Sequence, residues 1–240
     1  MPKYIDSHCH ILSDENLKPA TACGVGRFIV NATAPSDWNK IVETANHDNC
    51  IIGAIGVHPW YIDDLSDDWD IGLGEILSAN PNLMVGEIGL DKKHADMEKQ
   101  IAVFKRQLEI AHDLGRVVHI HCVGAWGKMM DVLRETQLSP VMLFHCFSGT
   151  PEMVSELVKM NAYFSFGAGI CDEKHKTMRD AVVAVPENRI LAESDAQGVL
   201  IPDTVPNVVL EIAKLRGVAP EQMAETIYKN TLEMLNEQSV

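Results

Sequence analysis

Two rhythms of apolar residues alternate along the chain. Short runs rich in β-branched and aromatic residues are followed by longer segments in which apolar positions return every three or four residues. The short runs are Tyr4–His10, Arg27–Ala32, Ile51–His58, Leu83–Leu90, Val117–Cys122, Val141–Phe147, Ala162–Gly167 and Ile190–Asp195, most of them ending on polar residues or glycine. Helical spacing marks Trp38–Asn46, Asp68–Ser78, Met97–Leu114, Trp126–Arg134, Pro151–Met160 and Lys176–Val185, with Val205–Arg216 and Pro220–Leu235 closing the chain. The clearest stripe is Ile101, Phe104, Leu108 and Ala111.

Strands alternating with helices imply a parallel sheet covered by helices. Eight such units predict an α/β fold of the (β/α)8 TIM-barrel type, with residues 1–240 forming a single domain. The competing arrangement is an open doubly wound sheet, which usually carries a glycine-rich phosphate loop after its first strand. Here the first strand ends in His8-Cys9-His10 with no G-x-G-x-x-G.

The polar residues of the strands change the picture from architecture to chemistry. His8 and His10 end the first run, Glu87 lies near the end of the fourth, and His121 ends the fifth. His145 lies near the end of the sixth and Asp195 ends the eighth. In a barrel all these ends meet at one face. Alternate strand residues share a side, so His8 and His10 can both point into the mouth, while Cys9, Cys122 and Cys146 are expected to point toward the helices as packing residues. Asp6 and His119 fall one layer below the presumed ligands, either orienting them or serving as a satisfied core pair. Four imidazoles and two carboxylates exceed the usual complement of one catalytic zinc, and a shared carboxylate joining two ions would use all six. Two divalent metal ions are therefore expected, with zinc, manganese, magnesium, nickel and cobalt as candidates.

Composition refines this reading. The chain is 46% hydrophobic over 240 residues, enough for one large core. Its start, MPKYIDSHCHI, has no signal-peptide pattern and no run is long and apolar enough to span a bilayer, so a cytoplasmic protein without membrane contact is expected. The six cysteines form no CxxC pair and are expected to be reduced thiols. A formal net charge of -14 opposes tight binding of phosphate backbones unless cations intervene. No feature calls for an obligate protein partner.

Several stretches resemble the TatD family of metal-dependent hydrolases, within the amidohydrolase-type barrels. They are Asp6-Ser-His-Cys-His10, Gly56-Val-His-Pro59, Gly86-Glu-Ile-Gly-Leu-Asp91, His121-Cys122, His145-Cys-Phe-Ser-Gly149, Glu193-Ser-Asp195 and the late Tyr228-Lys-Asn-Thr-Leu-Glu-Met-Leu. The resemblance implies that His8, His10 and Asp195 hold one metal, that His121 and His145 hold the other, and that Glu87 bridges. It further implies that Asp195 is the general base and that the reaction is metal-dependent hydrolysis of DNA phosphodiesters. The chain departs from the family's usual pattern in two places: Val123 stands where an arginine commonly follows the His-Cys of the fifth strand, and the segment from Asp195 to Asn207 contains no basic residue. Lys92 and Lys93, which follow Gly-Leu-Asp91, could supply part of the missing positive charge. The expected substrate is DNA, or alternatively a small phosphate ester, amide or lactone.

His58 is expected to contact substrate or shuttle a proton, Lys92 and Ser148 to contact substrate, and Asp91 either to orient a histidine or to cap a turn. His47, His94, His112 and His175 read as surface residues. Trp38, Trp60, Trp69 and Trp126 are too scattered for a stacking platform, although Trp60 and Trp126 follow strand ends and could line a pocket wall.

Overall fold

A computed structural model describes residues 3–11, 14–94, 96–197 and 204–236. In chain order its elements are β1 (Tyr4–Cys9), α1 (Asp14–Ala22), β2 (Val25–Asn31), α2 (Pro35–His47), β3 (Ile51–Ile55), α3 (Trp69–Ala79), β4 (Met84–Asp91), α4 (Met97–Asp113), β5 (Val118–Val123), α5 (Trp126–Thr136), β6 (Met142–Phe144), α6 (Pro151–Lys159), β7 (Ala162–Phe166), α7 (Lys176–Ala184), β8 (Ile190–Ala192), α8 (Thr204–Arg216) and α9 (Pro220–Asn236). The strands lie in the order β1 to β8, and every neighbouring pair is parallel. The ring closes through main-chain hydrogen bonds beyond the last strand, from Asp195 N–H to the His8 carbonyl at 3.0 Å and from His10 N–H to the Ala196 carbonyl at 2.9 Å. The fold is a TIM barrel, as the alternation of apolar runs predicts.

Strand alternation sorts the apolar residues into two layers. Ile29, Ala54, Met84, Val117, Leu143, Tyr163 and Leu191 form one cluster with Met234 of α9, filling the lower barrel interior. Their strand neighbours, such as Val30, Ile55, Val118, Phe144, Phe164 and Ala192, pack outward against the helices in a larger cluster, which also takes in Cys9 and Cys122. Going up the interior, apolar residues give way to polar ones two positions later: Ile29 to Asn31, Leu143 to His145, Tyr163 to Ser165 and Leu191 to Glu193. The barrel thus has a greasy floor and a polar mouth. Among the described residues, no helix is long and apolar enough to cross a membrane.

Two features differ from the sequence reading. Helix α1 carries Pro19 inside it and lacks a clear apolar stripe, so periodicity does not reveal it. Strands β3, β6 and β8 are shorter than the apolar runs: they end at Ile55, Phe144 and Ala192, leaving His58, His145 and Asp195 just beyond the ladder. There the backbone is irregular, with φ of 41° at Cys146 and 50° at Asp195, a left-handed conformation unusual for residues with a Cβ. Strand alternation therefore fails at Cys146. Its thiol does not face the helices but lies 3.9 Å from the Asp195 Oδ2.

Helix α4 fixes the mouth through two buried glutamines two turns apart. Gln107 accepts from the Val57 N–H at 2.7 Å and donates to the Val57 carbonyl at 3.1 Å, while Gln100 accepts from the Asp91 N–H at 2.8 Å and donates to the Asp91 carbonyl at 3.1 Å. Each amide satisfies both main-chain groups of a residue that a free strand end would leave unpaired. Replacing Gln107 by Leu strands a buried donor and acceptor, and is expected to cost about 1–3 kcal/mol. Chemical denaturation measures this; an unchanged midpoint would show that the clamp contributes nothing.

Candidate metal centre

Glu87 is the hub. Its position depends on the glycines around it: a Cβ at Gly86 would come within 2.7 Å of the Asn31 Oδ1 and of the His119 Cβ, and Gly89, with φ of 146°, would press a Cβ to 2.0 Å from the His121 carbonyl oxygen. These contacts explain why the glycines flank Glu87 in the Gly86–Asp91 stretch. The buried carboxylate turns its two oxygens to different imidazoles. Oε2 faces His10 Nε2 at 3.3 Å and His8 Nε2 at 3.6 Å. Oε1 faces His145 Nε2 at 2.6 Å, His121 Nδ1 at 2.8 Å and His58 Nε2 at 3.6 Å. Asp195 closes the first group, with Oδ1 at 3.5 Å from His10 Nε2 and 4.0 Å from His8 Nε2.

Contacts on the far sides of the rings set which nitrogen faces inward. His10 Nδ1 lies 2.9 Å from the Asn31 carbonyl, which can only accept, so Nδ1 carries a proton and Nε2 is the nitrogen that faces the two carboxylates. His121 Nε2 lies 3.2 Å from the Asp91 Oδ2. His8 Nδ1 meets His119 Nδ1 at 3.2 Å. His145 Nδ1 lies 3.5 Å from the Glu193 Oε1, and Glu193 is itself bound by the Cys146 N–H at 2.7 Å and by the Ser165 hydroxyl. Asp6, beneath His8, accepts from the Ser194 N–H at 2.9 Å and from its hydroxyl at 2.5 Å. Partners of this kind fix ring orientation and raise ligand basicity.

Charges within the cluster are strongly coupled. Burial alone would raise the pKa of Glu87, yet the charge of His145 and hydrogen bonds from His10, His121 and His145 hold it well below the carboxylate range. Asp195 is likewise kept low, with burial outweighed by His10, His145 and His8. Burial would lower His10, but Asp195 and Glu87 push it up to about 10. His58 falls the other way, to about 3, because burial and the neighbouring imidazoles His121, His145 and His10 outweigh Glu87. Its Nδ1 accepts from the Trp60 N–H at 3.2 Å, so the neutral ring keeps its proton on Nε2, aimed at the cavity. Imidazole nitrogens gathered around two ionised carboxylates fit divalent ions: such an ion could take the place of the protons through which His10 and His145 meet Glu87. Among the described residues, ligand atoms lie within 4.8 Å of one another in His8, His10 and Glu87, in His8, His145 and Asp195, in His58, Glu87 and His121, and in His145, Cys146 and Glu193.

His10, His58, Glu87, His121, His145 and Asp195 line a cavity of about 320 Å³ together with Thr33, Trp60, Tyr61 and Gln197, while His8 lies buried beneath it. No lysine or arginine lines it among the described residues. Lys92 is exposed and borders a neighbouring pocket with His94 and Lys128, and Ser148 is exposed away from the cavity wall. Residues 198–203, in the loop expected to lack basic side chains, lie outside the described residues.

Against known proteins, the model of the family described as TatD related DNase matches residues 5–236. The chain belongs to the TatD-related DNase family. A TatD homologue from Escherichia coli K12, YjjV, has a crystal structure that superposes with a TM-score of 0.90 at 26% identity, covering 98% of each chain. The metal-dependent hydrolase YabD of Bacillus subtilis is 28% identical, over 94% of this chain and 96% of its own. The 3'-5' ssDNA/RNA exonuclease TatD of Erwinia tasmaniensis is 27% identical over 93% of both chains.

Several residues around this TatD-family site were hidden in the sequence. Glu193 appears there only as the start of Glu-Ser-Asp; nothing local shows that it backs His145. Asn31 acts through its carbonyl, which any residue could supply. His94 reads as a surface residue, yet it is half-buried and its ring lies 6.4 Å from that of Trp60. Trp60 lines the cavity, whereas Trp126 turns inward against Phe144 and Phe147.

If the cluster takes up divalent ions, removing them should loosen the fold. Added manganese or zinc at a hundredfold excess over Kd should stabilise chelator-treated protein by about 2.7 kcal/mol. Thermal unfolding with and without the ion reads this out, and His10→Ala should shrink the gain. No shift with any divalent ion would overturn the fit.

Proposed function

We propose that this TatD-family chain is a two-metal hydrolase of phosphodiesters in single-stranded nucleic acid. In this reading His8, His10 and Asp195 hold one ion, His121 and His145 hold the other, and Glu87 bridges them. The observation that carries it is the division of the Glu87 carboxylate, one oxygen facing His8 and His10 and the other facing His121 and His145. The exonuclease name of the Erwinia relative supports the substrate class.

Bound in this cage, a pair of divalent ions would polarise a phosphoryl group and lower the pKa of water enough to supply a nucleophile at neutral pH. The protein's own residues do the rest. Asp195, ionised and about one-third exposed, takes the proton of the attacking water. His58 offers its Nε2 proton to a phosphate oxygen, and its low pKa keeps the ring neutral, so it donates a hydrogen bond without competing for the ions. Asp91 and Glu193 hold His121 and His145 at the angles that aim Nδ1 and Nε2 inward.

Asp195→Asn keeps the size of the side chain and removes its basicity. The expected result is a fall in kcat of about 10²–10⁴ with the fold intact by circular dichroism. Near-normal turnover would refute the role given to Asp195.

The cavity wall, with no lysine or arginine among the described residues, favours one rival: a small phosphate ester as the substrate. Single-stranded DNA and a small phosphodiester, compared at matched metal concentration, separate the two. Much faster hydrolysis of DNA is expected; cleavage of the small ester alone would replace the nuclease reading.

A further inference from the structure

We infer that Trp60 and Tyr61 form a stacking platform for a nucleobase of the strand whose phosphate the metal centre grips. The inference rests on the nucleic-acid reading above and adds how an acidic protein holds such a substrate. Metal ions can answer for the scissile phosphate. Further affinity must come from elsewhere, because the chain carries a net charge of -14 and the described cavity wall offers no lysine or arginine.

The candidates stand at the rim. Trp60 is 50% exposed and Tyr61 is 47% exposed, and they are the two aromatic members among the exposed large apolar residues of the described chain. They sit side by side on the short turn Pro59–Tyr61 that follows His58, and both line the cavity that holds Glu87, His121 and Asp195. A lone exposed aromatic means little. Two adjacent ones on the wall of a candidate catalytic cavity stand where a base attached to the bound phosphate would reach them.

Trp60 is also held in place. Its indole N–H donates to the Asp91 Oδ2 at 2.7 Å, its ring meets His58 edge-on at 5.3 Å, and the His94 ring lies nearly parallel at 6.4 Å. A ring already fixed loses little freedom when a base stacks on it, so more of the contact energy appears as affinity. The same Asp91 oxygen lies 3.2 Å from His121 Nε2. One carboxylate oxygen thus contacts both the Trp60 indole and a candidate metal ligand, tying the base site to the phosphate site. Base–aromatic stacking is sequence-tolerant because every base has a flat face.

The test is equilibrium binding, which does not need turnover. A labelled five-nucleotide single strand with phosphorothioate linkages and a counterpart with abasic residues are titrated against metal-loaded enzyme, read by fluorescence anisotropy. The wild type should bind the abasic strand about tenfold more weakly, a loss of about 1.4 kcal/mol. Trp60→Leu and Tyr61→Leu should each weaken binding of the base-bearing strand and reduce its advantage over the abasic one, while Trp60→Phe should retain part of it. Tyr61 does not touch Asp91, so its variant separates stacking from any disturbance of His121; metal content measured on each variant guards against the same error. Equal binding of both strands by the wild type, or full discrimination in both leucine variants, overturns the platform. Cleavage of an ordinary phosphodiester strand is assayed in parallel. Failure to cleave removes the nuclease reading but leaves the binding result to decide the platform, and cleavage without base preference does the reverse.

Discussion

A buried carboxylate ringed by imidazoles is the constraint on which the upper half of this barrel depends. Glu87 lies away from water, within 3.6 Å of nitrogens from five histidines. A charge taken out of water is costly unless it is paired and hydrogen-bonded. The barrel meets that cost by bringing donors from β1, β5 and the ends of β3 and β6 to the two oxygens. The same arrangement gathers imidazole nitrogens around two ionised carboxylates, a donor set that would suit a divalent cation.

Around this hub a second set of contacts fixes directions rather than charges. Asn31 holds His10 by a main-chain carbonyl, Asp91 holds His121, and Glu193 stands behind His145 while tied to Ser165 and Cys146. Gln100 and Gln107 pin the main chain at Asp91 and Val57, next to His58. The left-handed backbone at Cys146 and Asp195 lies within this network. Such conformations persist only where surrounding contacts over-determine them, and they tend to gather at functional sites. The greasy floor and polar mouth follow the same logic: packing gives rigidity below, and satisfied polar groups give aim above.

The acidity of the chain bears on the proposed function. The cavity wall carries carboxylates, imidazoles and two aromatic rings, so in that reading bound cations would be the partner for phosphate oxygens. The Trp60 indole and the His121 ring share one Asp91 oxygen, which ties the rim of the cavity to the cluster beneath it.

Alternating rhythms of apolar residues were enough to specify eight parallel strands and their covering helices, because burying one face of each element leaves a pattern that needs no partner to be seen. The residues that converge on Glu87 were legible for a related reason: His8, His10, His121, His145 and Asp195 fall at the same end of successive units, and the barrel brings those ends together. Three things were decided only in three dimensions. Helix α1 lacks a readable stripe around Pro19, and only the fold shows that its Leu17 and Ala20 are buried in the core. The thiol of Cys146 turns toward Asp195 because the backbone leaves the strand at Phe144 and takes a left-handed turn that strand alternation does not anticipate. The partners Glu193, Asn31, Gln100 and Gln107 act across the fold, through carboxylate, carbonyl and amide groups common along any chain. Sequence therefore records which surface an element must hide, because that choice is made residue by residue; it does not record which distant groups will meet, because that depends on where the closed barrel places them.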